Sequence, residues 1–116
     1  MTTIPESWDG ATAISAERTR QLFDEGYSLE HDAAHGAIQL IDAALAYTVQ
    51  AQDRLSEAAG EGVGSDGPEH YWPWDPSTFR PDDDALRSIA KAGALLAAAY
   101  DAVAAQRSAS ASGSDQ

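Results

Sequence analysis

The sequence predicts an all-α domain, and three observations carry that prediction. Apolar residues recur at intervals of three and four across residues 38–55 and again across 86–103, the repeat of one helix face. Between these runs, residues 59–84 are dense in glycine, proline and aromatics and have neither a helical nor a strand period. Near the start, ISAERTRQLFDEG carries the start and stop residues of a short helix. At 116 residues the chain suits one domain. The expected architecture is two long antiparallel helices with a shorter N-terminal helix, joined by a long aromatic, Pro/Gly-rich loop.

Residues 1–13 are expected to form an extended N-terminal segment, with Ile4 and Trp8 laid against a single helical domain of residues 14–106. The first helix is expected over 16–25. Ser15 would be its N-cap, Glu17 would sit in the first turn and Gly26 would take the left-handed C-terminal position. Ile14, Leu22 and Phe23 would dock it, because so short a helix does not stand alone. The main helix follows within SLEHDAAHGAIQLIDAALAYTVQAQDRLSEAA, capped by Ser28 or Asp32. Ile38, Ile41, Leu45, Thr48, Gln52 and Leu55 are its expected core stripe.

In the connection, Pro73, Pro76 and Pro81 hold the backbone extended or turned. Long connections in small domains are uncommon and often functional. Its glycine half is expected to move and its aromatic half, YWPWDPSTF, to pack. The last helix is expected to open at Asp82, Asp83 and Asp84, whose charges suit a helix N-terminus, and to end near Gln106. Leu86, Ile89, Gly93, Leu96, Tyr100 and Val103 form its stripe, and Ala90, Ala94, Ala97 and Ala98 around Gly93 permit a close crossing. Residues 107–116, mostly Ser, Ala and Gly, have nothing large to bury and are expected to be a disordered tail.

Nineteen acidic against seven basic residues give a net charge of −12, which repels phosphate backbones and argues against nucleic acid as a partner. Without cysteine there is no disulfide framework, thiolate zinc site or cysteine nucleophile. MTTIPESWDG lacks the basic and apolar regions of a secretory leader, and AGALLAAAYDAVAA, rich in alanine and broken by Asp101, falls short of a membrane span. The expected location is the cytoplasm, with no membrane contact.

Chemistry concentrates in GYSLEHDAAHG. His31 and His35 are four apart, the spacing that sets two imidazoles on one helical face and can bind a divalent metal. Asp42, seven residues beyond His35, is a candidate third ligand; Glu30, Asp32 and His70 are others. The alternative is internal: Asp32 caps the helix and His35 bonds Asp42 or a loop carbonyl. Tyr71, Trp72, Trp74 and Phe79 either stack a ligand or fill a core short of large aliphatics. Arg18, Arg20, Arg87 and Lys91 either pair with surplus carboxylates or meet an anionic ligand. No nucleophile with its base is present, and GEGVGSDG matches no phosphate-cradling loop.

Taken together, ERTRQLFDEGYSLEHDAAHG and YWPWDPSTFRPDDDALRSIAKAGALLAAAYDAV resemble a family of small uncharacterised bacteriophage and prophage proteins. The resemblance covers about residues 15–103 and rests on the combination of EHD-x-x-H, WPWD and KAGAL segments. The resemblance implies one shared arrangement for Arg18, Gln21, Gly26, Tyr27, Glu30, His31, Asp32, His35, Trp72, Pro73, Trp74, Pro81, Asp83, Arg87, Lys91 and residues 92–95. It names no reaction. The chain departs from the family pattern at Ala33 and Ala99, where relatives often carry carboxylates.

The leading expectation is a phage or prophage accessory protein in the bacterial cytoplasm. It would bind a small phosphorylated or nucleotide-like ligand, or a host protein, without catalysis. The ligand site would comprise Arg18, Glu30, His31, Asp32, His35, Trp72, Trp74, Arg87 and Lys91. No cofactor is required, although a divalent metal on His31, His35 and Asp42 stays open. Two alternatives stand beside it: a purely structural or protein-interaction module, and a metal-dependent nucleotide phosphohydrolase of the MazG type. Homodimerisation would cover apolar surface that a chain this small leaves open.

Overall fold

The computed structural model describes residues 4–5, 7–24, 29–62 and 67–114, and the side chains among them other than those of 24, 29–35 and 110–114. Among the described residues there is no strand. Helix α1 spans Gly10–Asp24, α2 spans Leu29–Ala58 and α3 spans Ala85–Ser114, with single 3-10 turns at Pro68–His70 and Pro76–Thr78.

Helix α1 begins at Gly10, earlier than the Ala16 start expected from sequence, because Asp9 and not Ser15 caps it. The Thr12 amide donates to Asp9 Oδ1 at 2.8 Å, satisfying one of the donors that a helix start leaves open. The same hydrogen bond holds the Asp9 carboxyl below its ordinary range. Ser15 lies within the helix, where its carbonyl accepts the Thr19 hydroxyl at 3.0 Å. The expected extended segment therefore stops short of residue 10. Gly26 and Ser28, assigned to caps from sequence, lie outside the described residues.

Helix α2 is interrupted at Gly36, whose φ of 81° and ψ of 154° belong to no helix. Without a Cβ, glycine reaches that region at little cost. Residues 29–35 therefore form their own helical piece ahead of residues 37–58. The far end closes as a Schellman turn: Gly60, at φ 78°, donates to Glu57 O at 3.1 Å, and Glu61 donates to Ser56 O at 2.8 Å.

The long helices bury the faces opposite to those expected. Ile38 is 77 % exposed, Ile41, Leu45 and Leu55 are also exposed, and Thr48 and Gln52 face outward with them. Inside are Leu40, Ala43, Ala44, Tyr47 and Ala51. On α3, Leu96 and Tyr100 are exposed, whereas Ala92, Ala94, Leu95, Ala98 and Ala99 are buried. Both faces of each helix repeat at three and four, and the contact between α2 and α3 uses the one made of alanines. Short side chains let two helices approach closely. The larger residues are left on the outside.

The aromatic connection packs on the alanine core. Trp72, Trp74 and Phe79 lie against the cluster of Leu40, Tyr47, Leu95 and the core alanines. Tyr47 meets Trp72 edge-on at 5.6 Å and Phe79 at 5.1 Å, and Trp72 meets Trp74 edge-on at 5.1 Å. Such offset and edge contacts are the favourable aromatic geometries. Then α3 opens on a true cap, with Asp84 Oδ1 accepting the Leu86 amide at 3.0 Å.

Helix α3 continues past Gln106 to Ser114. Over Ala85–Ala109 it is also long and apolar enough, by length and composition, to cross a membrane, contrary to the expectation that it falls short. Here it packs against both α1 and α2 and buries Ser88 and Lys91, as a central core helix does.

Helix α1 crosses α3 at Gly93, where a Cβ would stand 2.5 Å from Ile14 Cδ1 and 2.6 Å from its Cγ1. Gly93→Ala is expected to lower the melting temperature: overpacking costs about 1–3 kcal/mol, against a helix-propensity gain of about 1 kcal/mol. In an Ile14→Ala background the same change should become neutral or stabilising. Thermal melts of the four proteins of this cycle test the crossing.

Candidate functional site

Burying a charge is costly unless a partner is fixed beside it, so the buried polar residues mark where the chain has built something specific. Among the described residues they are Glu17, Gln21, Gln50, Ser88 and Lys91. Glu17 and Gln21 are four apart on α1 and share a face. Ser88 and Lys91 are three apart on α3. Gln50, from α2, donates to Asp82 O at 3.1 Å and so ties α2 to the approach of α3.

Glu17 is 5 % exposed and holds two arginines. Arg20 Nε donates to Glu17 Oε1 at 2.8 Å, and Arg20 Nη2 contacts the same oxygen. Arg87 Nε, from α3, lies 3.3 Å from Glu17 Oε2. One carboxylate thus neutralises charge from its own helix and from a second one. Arg18 reaches another part of α3, with Nη2 3.7 Å from Asp101 Oδ2.

Lys91 donates to Arg80 O at 2.8 Å, and its ammonium lies 5.2 Å from the centre of the Tyr47 ring, within cation–π range. The Tyr47 hydroxyl accepts the Arg80 amide at 3.1 Å, so Lys91, Tyr47 and the backbone of the loop form one unit. Burial lowers the Lys91 pKa, and the charge of Arg87 lowers it further. Gln21, 2 % exposed, has no hydrogen-bond partner for Oε1 among the described residues.

Of the residues singled out from sequence, Arg87 and Lys91 come together, with Glu17 and Arg20 between α1 and α3. The side chains of Glu30, His31, Asp32 and His35 lie outside the described residues; their backbone belongs to the helical piece before Gly36. That break alters one inference. Placing Asp42 on the face of His35 assumes an unbroken helix, and a non-helical residue between them removes the phase relation. Asp42 is half-buried, and His70 is exposed with its ring edge-on to Tyr71 at 5.0 Å. Among the described residues no group of three or more His, Asp or Glu is arranged to hold a metal ion.

Trp72 donates from Nε1 to Asp75 O and Thr78 Oγ1, both at 3.1 Å, and Trp74 donates to Gln39 Oε1 at 3.1 Å. Both indoles are half-buried and bonded within the chain. Sequence reasoning passed over Glu17, read as a helix-start charge, and Tyr47, hidden in an alanine run. It also passed over the outer surface, where Ile41, Leu96, Tyr100, Val103 and Arg107 line a groove between α2 and α3.

The lowered Lys91 pKa has a signed consequence. Between the folded value and the ordinary 10.5, the unfolded chain binds the proton and the folded chain does not, so this residue's contribution to stability rises with pH there. Urea denaturation of wild type and Lys91→Met across the alkaline range should show wild type gaining on the variant as pH climbs toward 10.5. A constant difference would mean that the folded and unfolded chains bind the Lys91 proton equally.

No known family model, curated protein or solved structure matches this chain.

Proposed function

We propose that the chain is a small, non-enzymatic interaction module that docks a protein through the outer faces of α2 and α3. The carrying observation is the inverted packing: Ile38, Ile41, Leu45, Leu96 and Tyr100 stand outside while alanines fill the contact between the helices. Exposed apolar side chains on one contiguous face are the usual mark of an interaction surface. The interior supports the same reading. Glu17 is held by Arg20 and Arg87, and Lys91 by a carbonyl and a ring, so these groups serve the fold.

On this reading α2 and α3 are an antiparallel hairpin and α1, with the aromatic connection, is the scaffold behind it. Gln50 bonds Asp82 ahead of α3, while Ile41 shares a groove with Tyr100 and Arg107 near its other end. The resemblance to small phage proteins suits such a module, acting on a partner in the host cytoplasm.

A photo-crosslinking residue at position 41 or 100, introduced in a bacterial host, tests docking directly. Adducts of defined mass are expected from both positions and not from position 19, which is exposed on α1. Folded protein that forms no adduct at 41 or 100 would remove the proposal.

A further inference from the structure

Covering the outer face requires a partner whose surface matches two neighbouring helices along much of their length. We infer that this partner is a second copy of the chain, related by a two-fold axis across the helices, so that two α2–α3 hairpins close into a four-helix arrangement. The inference rests on the docking reading above and names its occupant.

Three observations select a second copy. The open strip runs along both helices: Ile38, Ile41 and Leu45 on α2, and Leu96, Tyr100 and Val103 on α3. An identical hairpin turned by a two-fold axis offers the same strip in return, as a self-complementary interface requires. Four-helix bundles fill their cores with apolar residues that recur in this way.

The surface area agrees. The chain exposes 7324 Å², about 1,200 Å² more than a compact monomer of its mass is expected to show. A standard interface removes about 800 Å² from each partner, and the exposed turns of α3 beyond Val103 account for a further part of the excess. The radius of gyration, 15.7 Å, also exceeds the ~13 Å expected of a compact domain this long.

Charge sets the direction. Arg107 lies at one end of the groove, whereas Arg54, Glu57 and Asp83 form an ion-paired group at the other end of the hairpin, with Asp83 almost fully exposed. A two-fold axis across the helices brings the Arg107 end of one copy toward the Asp83 end of the other. A parallel pairing would set like ends together. Two chains of −12 also repel one another, so added salt should favour the pair.

Sedimentation velocity on the purified full chain is the test. Wild type is expected to reach twice the 12.2 kDa chain mass as concentration rises, and at lower concentration in higher salt. Ile41→Asp and Tyr100→Asp alter exposed positions, so the helical circular dichroism should persist while self-association weakens by more than about tenfold. Arg107→Glu should weaken the pair, and combining it with Asp83→Arg should restore it. A wild type that stays monomeric at every concentration and salt overturns the inference, as does a dimer that survives both aspartate variants. Adducts at 41 and 100 to a different protein, from a monomeric wild type, would leave docking standing and remove only the second copy. Absence of both dimer and adduct would remove the two together.

Discussion

The contact between α2 and α3 is made by alanines, and most other features follow from that choice. Ala43 and Ala44 join Ala92, Ala98 and Ala99 in a core whose large members are few: Leu40, Leu95 and Tyr47. Alanine has the best intrinsic helix propensity and no rotamer freedom to lose, so such helices form readily. It also supplies little area to remove from water. The aromatic connection adds area where the helices alone are thin, with Trp72, Trp74 and Phe79 set against the alanine face.

The same thinness explains the polar interior. Where α1 meets α3, the chain places Glu17 between two arginines, and where α2 and the loop meet α3 it buries Lys91 between a carbonyl and an aromatic ring. Buried ion pairs of this kind give little net stability, because removing charges from water costs several kcal/mol per ion. Their geometry is demanding, however. Glu17 meets Arg87 only when α1 crosses α3 in one register, and the tight contact of Ile14 over Gly93 holds that register from the apolar side. Packing and charge therefore select the same placement of α1.

One face of each long helix packs the fold together and the other lies open to solvent. The inner face is small, polar in places and internally bonded. The outer face carries the larger aliphatics and Tyr100, with few charges among them. In this division the aromatic loop belongs to the scaffold: its indoles bond Asp75, Thr78 and Gln39 within the chain.

Read alone, the sequence determined that the chain is helical and approximately where its long helices run. Those conclusions depend on short-range periodicity and on residues such as Asp84, whose capping effect acts within one turn. It did not determine which face of each helix lies inside. In residues 37–58 both the alanine face and the aliphatic face repeat at three and four, and ranking residues by size selects the wrong one. Gly36 was visible as a residue, but its break depends on a backbone angle, and the presumed alignment of His35 with Asp42 went with it. Asp9 was passed over as a cap because the flanking residues look like turn. Only the tertiary structure could join Glu17 to Arg87 or Lys91 to the carbonyl of Arg80, since these meetings depend on how α1 and the loop fold over α3. Local energies specify the helices; the competition between two nearly equivalent faces is decided by long-range packing.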